Sequence, residues 1–132
     1  MLLIIYPDNP DPLAIDKVVR CLRNDGIIIF PTDTIYAFGC SIRSSKAIDR
    51  VCRLKGIRLE KANFSFICHD LSHLSDYTRQ VDRAAYRLMK QSLPGPFTFI
   101  LNASGMVPSV FRHRKKTIGI RVPDNNIARA LV

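Results

Sequence analysis

Short apolar runs alternate along this chain with amphipathic, capped segments, and this alternation constrains the fold more than any other feature. Strands that alternate with helices are typical of α/β proteins, so we predict a single α/β domain over residues 1–132. The strands are predicted at residues 2–6, 27–30, 64–68, 97–101 and 117–122. The run at 27–30 is apolar throughout, which predicts a strand covered on both faces.

Capping residues place the helices. Asp11-Pro12 suits the start of a helix that ends at residues 24–26, and Ser44-Ser45 suits the start of a second helix that Gly56 closes. We predict further helices from Asp70 through Leu74, over 81–90, and from Pro123 to the last residues. The inner faces of the helices at 45–55 and 81–90 are predicted to be Ala47, Ile48, Val51, Cys52 and Leu54, and Val81, Ala84, Ala85, Leu88 and Met89.

The charge of the chain is strongly positive, with 20 Lys and Arg against 11 Asp and Glu. Such an excess suggests a polyanionic partner: nucleotide phosphates, RNA or both. From charge alone, a solvated basic face with no specific partner is an equal alternative. Many of the basic residues lie in two segments. The first contains Arg43, Lys46, Arg50, Arg53, Lys55, Arg58 and Lys61, and the second contains Arg112, His113, Arg114, Lys115 and Lys116.

Several classes of protein are disfavoured by the sequence. No apolar run approaches the ~20 residues of a membrane helix, and the N-terminus has no basic region of a signal peptide, so we expect a cytoplasmic protein with no membrane partner. The cysteines show no C-x-x-C spacing and lie among apolar neighbours, which favours buried thiols over zinc or disulfides. His69 and His73 lack an evident third ligand, so no metal site is predicted, and no catalytic nucleophile is assigned.

The first candidate site is Thr32-Asp33-Thr34 with Tyr36, directly after the apolar run that ends at Phe30 and Pro31. Ligands of open α/β sheets bind beyond the carboxyl ends of strands, and hydroxyls there can hold a small polar ligand. The alternative is a turn that the hydroxyls merely cap.

The second candidate is the loop KGIRLEK, in which Lys55, Arg58 and Lys61 are three residues apart. Flexible cations in this pattern can surround a triphosphate. Neither a P-loop nor a G-x-G-x-x-G sequence occurs, so a nucleotide site would be of another design, and a solvated charged loop is the alternative.

The third candidate is TIGIRVP, residues 117–123. Along a strand, Thr117, Gly119 and Arg121 share one face, while Ile118 and its alternate neighbours share the other. If the second face is core, the first presents a hydroxyl, bare backbone and a guanidinium, which suits a carboxylate or phosphate. An edge strand with a solvated face is the alternative.

Four ordered motifs, PTDTIYAFGC, RLKGIRLEKANFSFI, LPGPFTFIL and TIGIRVPDNNIARALV, resemble the YrdC-like domain family. The opening YPDNPDP and the segment CHDLSHLSDY resemble its YciO branch. The resemblance implies an open, twisted sheet of mixed strand direction with flanking helices around a basic concave surface. It also implies that the part of the family fold containing a Ser-x-Asn motif lies beyond Val132 and is missing.

The activity implied by the resemblance is formation of L-threonylcarbamoyladenylate from L-threonine, bicarbonate or CO2, and ATP with Mg²⁺, for N6-threonylcarbamoylation of adenosine 37 in tRNA. By the same resemblance, Thr34 and Arg121 contact threonine, and Lys55, Arg58, Lys61 and Thr117 contact the nucleotide. Two alternatives stay open: an inactive truncated member, and a non-enzymatic module that binds tRNA or double-stranded RNA. The RNA-binding candidates are Arg50, Arg53, Arg112, Arg114, Lys115 and Lys116.

Overall fold

The computed structural model describes residues 1–111 and 116–132 of the chain. Five helices and five strands are described, together with 3-10 turns at Leu59–Lys61 and Ser109–Phe111. The helices are α1 (Pro12–Arg23), α2 (Ser45–Lys55), α3 (Leu74–Tyr77), α4 (Arg83–Ser92) and α5 (Asn126–Ala130). The strands are β1 (Ile28–Phe30), β2 (Ala37–Gly39), β3 (Ser65–Ile67), β4 (Phe99–Asn102) and β5 (Thr117–Arg121).

The strands form two sheets. β1 and β2 pair antiparallel as a hairpin around the loop that contains residues 31–36. In the second sheet β5 lies between β3, to which it is parallel, and β4, to which it is antiparallel. The prediction of an α/β fold with an open sheet of mixed strand direction and flanking helices is therefore confirmed.

Strand β5 has the two-faced character that its alternating sequence predicts. Ile118 and Ile120 are buried, whereas Thr117, Gly119 and Arg121 are partly exposed on the opposite face. The buried face packs into the main core, whose buried members are Phe66, Leu74, Met89, Ala103, Val107, Ile118 and Ile120. A central strand buried on one face presents its other side chains to solvent or to a ligand.

Side-chain caps begin α1 and α2 where the sequence predicts them. A carboxylate oxygen of Asp11 accepts a hydrogen bond from the Leu13 N–H, and the Ser44 hydroxyl accepts one from the Ala47 N–H. Gly56 ends α2 with φ +64°, a left-handed conformation that costs glycine little because it has no Cβ. These local signals fix the ends of both helices correctly.

Other expectations are wrong in ways that share one cause. Residues 2–6 form no strand and pair with none of the described strands, and Ile29 of β1 is 66% exposed rather than covered on both faces. Leu54 and Leu88, predicted to face inward, are exposed. Apolar periodicity shows which residues favour burial, but a packed neighbour decides which of them are buried.

Two helix starts also differ from their predictions. The last helix begins at Asn126, with Asn125 rather than Asp124 as its cap. Asp70 does not cap α3, because its carboxylate instead accepts the Ser72 N–H at 2.9 Å in a turn that precedes the helix. Asp and Asn favour turns and caps for the same reason, so sequence alone does not separate the two.

We expect Met89→Ala to lower the free energy of unfolding by about 2–5 kcal/mol, because it opens a cavity where a fully buried side chain packs. The neighbouring Leu88, 54% exposed, is the matched control, and Leu88→Ala should cost about 1 kcal/mol. Urea unfolding followed by circular dichroism measures both values. Equal losses in the two variants would contradict the assignment of the core face of α4.

Candidate functional site

Arg121, the last residue of β5, joins two of the three candidate stretches. Its Nη2 donates to Asp33 Oδ1 at 2.5 Å and to the Thr34 hydroxyl at 3.1 Å. The loop between β1 and β2 therefore meets the end of the central strand, although 87 residues separate Thr34 from Arg121. A guanidinium and a hydroxyl, both predicted to contact the same ligand, lie together in the structure.

Thr32 orders the loop from within. Its hydroxyl donates to the Ile35 carbonyl at 2.6 Å and accepts from the Thr34 N–H at 3.1 Å. The two threonine hydroxyls lie 3.1 Å apart. One donor order satisfies all these contacts: Arg121 to Thr34, Thr34 to Thr32, and Thr32 to the Ile35 carbonyl. Thr32 thus caps the turn, while Thr34 links that turn to the guanidinium.

The ion pair between Asp33 and Arg121 is largely shielded from solvent, with the two side chains 11% and 17% exposed. Desolvation pushes the pKa of Asp33 upward, but the backbone N–H of Asp124 and the Arg121 guanidinium together hold this pKa below its usual value. Among the described residues, Asp33 Oδ2 and Arg121 Nε have no hydrogen-bond partner. The pair therefore retains hydrogen-bonding capacity that the described residues do not use.

Gly119 lies on the partly exposed face of β5, between Thr117 and Arg121. A Cβ at this position would lie 3.0 Å from Thr98 Cγ2 and 3.2 Å from Ser65 Oγ. Thr117 and Gly119 both line a cavity of about 400 Å³, together with Ser65 of β3. Glycine at this position therefore lets the side chains of Thr98 and Ser65 pack close to the backbone of β5, beside the cavity.

The predicted nucleotide contacts from the second stretch lie at the end of α2 and in the turn that follows. Lys55 is the last residue of α2, Arg58 precedes the 3-10 turn at residues 59–61, and Lys61 is its final residue. All three are exposed. Leu59 and Glu60 of the same loop line the cavity that contains Thr117, so the loop borders this face of the sheet. Their contact with a nucleotide stays a prediction.

The residues predicted to bind RNA are only partly described. Arg50 donates to the Asp25 carbonyl at 3.3 Å, Arg53 pairs with Asp49 at 2.6 Å, and Lys116 is exposed. The remaining three, Arg112, Arg114 and Lys115, lie outside the described residues. The carboxylate of Asp49 offsets the charge of Arg53 at that position.

Two functional positions were missed by sequence reasoning. Asp33 stands within the first candidate stretch, but only the fold shows that it pairs with Arg121. Asn125 caps α5 through Ala128 at 3.0 Å, and its amide also donates to the Thr32 carbonyl at 3.5 Å. The sequence offered a signal for Asn125 as a cap, but none for its second contact.

Burial makes two of the cysteines, Cys40 and Cys68, weaker acids than a free thiol. Burial raises the pKa of Cys68 to about 11, with a smaller contribution from the charge of Asp70. Burial also raises the pKa of Cys40. Both thiols stay protonated near neutral pH, and a protonated thiol attacks poorly.

The sequence profile of the Sua5/YciO/YrdC family, described as "Telomere recombination", matches residues 20–132. The chain belongs to this family. YciO of Escherichia coli K12 is 45% identical over 129 residues, which cover 97% of this chain and 62% of YciO. A threonylcarbamoyl-AMP synthase of Nitrosococcus oceani is 32% identical over 112 residues, 85% of this chain and 60% of that enzyme. The chain thus spans about 60% of the length of these relatives.

Solved structures of the Sua5/YciO/YrdC family share the fold. The crystal structure of E. coli YciO superposes with a TM-score of 0.87 at 45% identity, covering 96% of this chain and 61% of YciO. P. abyssi Sua5 complexed with L-threonine superposes with a TM-score of 0.85 at 26% identity, covering 99% of this chain and 38% of Sua5. The predicted resemblance to the YrdC-like family, with the YciO branch at higher identity than the synthases, is confirmed.

None of the helices in residues 1–111 and 116–132 is long and apolar enough to cross a membrane. The same residues contain no group of three or more His, Cys, Asp or Glu side chains positioned to hold a metal ion.

We expect Asp33→Asn to lower the free energy of unfolding at pH 7 by about 1–3 kcal/mol, since it leaves Arg121 without its carboxylate. The sign of the pH dependence follows from the lowered pKa of Asp33 in the folded state. The contribution of Asp33 to the free energy of unfolding is complete above its pKa in the unfolded chain, about 3.9. This contribution is lost as the pH falls through the lower pKa of the folded state.

The difference in free energy of unfolding between wild type and Asp33→Asn should therefore be constant from pH 7 to 5 and shrink below pH ~4. Urea unfolding across this range measures it. Asp8→Asn, which changes an exposed aspartate, is the control and should leave stability nearly unchanged at every pH. A difference that grows on acidification would contradict the assignment.

Proposed function

We propose that this chain provides the L-threonine and ATP site of a protein that forms L-threonylcarbamoyladenylate, for the N6-threonylcarbamoyl modification of tRNA. One observation carries the proposal: Arg121 reaches from the central strand to Asp33 and Thr34, so a guanidinium and a hydroxyl meet at one place. The family includes threonylcarbamoyl-AMP synthases, and a Sua5 relative of the same fold is complexed with L-threonine. Both support threonine as the amino acid.

Arg121 is the residue suited to the substrate carboxylate. A guanidinium has five N–H donors in a planar fork, and the contacts to Asp33 and Thr34 use only Nη2. Asp33 fixes the plane of the fork, so the remaining donors on Nη1 are oriented before a ligand arrives. A carboxylate bound by such preoriented donors loses less entropy than one bound by a mobile side chain.

Thr34 is suited to a donor group of the same ligand. Its hydroxyl accepts from Arg121 and, in the donor order described above, donates to Thr32. A hydroxyl oxygen accepts two hydrogen bonds, so one lone pair remains for a substrate N–H or O–H. The carboxylate and the polar groups of one amino acid would then lie between β5 and the loop after β1.

The reaction needs a carbamate made from the threonine amine and bicarbonate, with loss of water. A carbamate oxygen then attacks the α-phosphorus of ATP and pyrophosphate leaves. In this proposal Thr117 and the exposed cations Lys55, Arg58 and Lys61 hold the nucleotide and neutralise charge on its phosphates. Positioning and electrostatic stabilisation supply the catalysis, and no covalent nucleophile is required.

Magnesium belongs with the ATP in this scheme. Mg²⁺ is usually bound by substrate phosphates, water and one or two carboxylates rather than by a cage of protein ligands. When bound, it would supply further charge neutralisation at the phosphates.

We expect Arg121→Ala to weaken threonine binding by about 1.5–3 kcal/mol and Thr34→Val by about 0.5–1.5 kcal/mol, measured by isothermal titration calorimetry. Arg20→Ala removes an equally charged side chain from the exposed face of α1 and should leave threonine affinity unchanged. Arg121→Lys keeps a cation opposite Asp33 but lacks the planar donors of a guanidinium. Weak threonine binding in this variant would therefore come from the missing donors and not from unfolding. Unchanged affinity in Arg121→Ala would remove Arg121 from the site.

Activity is tested by pyrophosphate release, which should require both threonine and bicarbonate in addition to ATP. Lys55→Ala and Lys61→Ala should raise the ATP concentration needed for half-maximal release, because each removes a cation from the proposed phosphate site. Tight RNA binding with a steep salt dependence and no such release would instead favour the alternative, a non-enzymatic RNA-binding module.

A further inference from the structure

Helix α4 presents a basic face that the proposed function does not use. Arg83, Arg87 and Lys90 are exposed along it, and Tyr86 lies beside them, 39% exposed. The helix, RAAYRLMKQS, contains three basic and no acidic residues. At a rise of 1.5 Å per residue the three cations form a stripe about 10 Å long.

An open cleft of about 850 Å³ borders this stripe. Tyr86 and Lys90 line the cleft, and the Lys90 ammonium lies 6.0 Å from the centre of the Tyr86 ring. Arg129 of α5 also lines it, and apolar surface comes from Leu93 and Pro94. Neither Thr34 nor Arg121 is among the lining residues, so the cleft is separate from the proposed threonine site.

The acidic groups near this surface are already engaged. Asp82 caps α4 through the Ala85 N–H at 2.8 Å, and Asp70, which lines the cleft, accepts the Ser72 N–H at 2.9 Å. Asp124 lies 3.8 Å from Arg129. Arg83, Arg87 and Lys90 have no acidic partner among the described residues, so the stripe keeps its positive charge.

We propose that the exposed face of α4 and the adjoining cleft bind a single-stranded polynucleotide. Arg83 and Arg87 contact successive phosphates, and Lys90, which lies over the Tyr86 ring in the free protein, turns to a further phosphate. One base then turns out of the stacked strand and stacks on Tyr86 inside the cleft. A cationic track combined with an accessible aromatic ring is the arrangement that recognises single strands. A duplex keeps its bases stacked and cannot place one in the cleft without unpairing it.

The probe is a fluorescein-labelled 12-mer of uridine, whose binding is followed by fluorescence anisotropy at several salt concentrations; a 12-mer of thymidine tests whether the 2′-hydroxyl contributes. Arg83→Gln combined with Arg87→Gln should weaken binding about tenfold or more and lower the log–log salt slope by about 1.4, the value for two lost phosphate contacts to a single strand. Lys17→Gln combined with Arg20→Gln removes the same charge from exposed positions of α1 and should change affinity by no more than about twofold.

Tyr86→Leu separates stacking from charge. It should weaken binding about fivefold or more while the salt slope stays the same, because the cations remain. Threonine and ATP binding should be unchanged in all these variants, so a failure here is distinct from a failure of the proposed function.

Four results would overturn the proposal. The first is an equal loss of affinity for the uridine 12-mer in the α4 and α1 double variants. The second is unaltered affinity for this 12-mer in Tyr86→Leu. The third is a 12-base-pair duplex that binds as tightly as the single strand. The fourth is binding to vesicles that contain phosphatidylserine with no binding to either 12-mer, which would assign the stripe to a membrane surface.

Discussion

The contact between Arg121 and the loop after β1 is the interaction on which the candidate site depends. It joins the end of the central strand of one sheet to the connection within the other. Because the ion pair is mostly shielded from solvent, its attraction is screened less than that of a surface pair. Asp33 and the Thr34 hydroxyl therefore hold the guanidinium in one orientation at the candidate site.

This arrangement relies on the two faces of β5. Ile118 and Ile120 enter the core, and their burial fixes the strand so that Arg121 emerges on the opposite face. The parallel pairing with β3 places Ile67 beside Arg121, and the antiparallel pairing with β4 places Asn102 beside Thr117. A slip of one residue in either pairing would turn Arg121 into the core, so packing of two isoleucines sets the direction of a guanidinium.

The exposed cations of the described residues lie on more than one surface. The cations at the end of α2 and in the following turn border the face of the sheet where a triphosphate is proposed to lie. The cations of α4 border a cleft that shares no residue with that site beyond the common core. The excess of positive charge that composition alone reveals is thus distributed over separate surfaces, and only the fold assigns each cation to one of them.

Local chemistry in the sequence determined much of the fold. The caps Asp11 and Ser44, the left-handed Gly56 and the alternation from Thr117 to Val122 act over a few residues, so they can be recognised without the rest of the chain. The motifs also predicted that Thr34 and Arg121 share one site, and in the structure the two side chains are in contact at 3.1 Å. Tertiary structure alone decided that Asp33 pairs with Arg121 across 88 residues, that Asn125 reaches the Thr32 carbonyl, and that Leu88 faces water while Met89 is buried. These outcomes depend on which elements pack together, because a side chain's burial and partners are set by its neighbours in space.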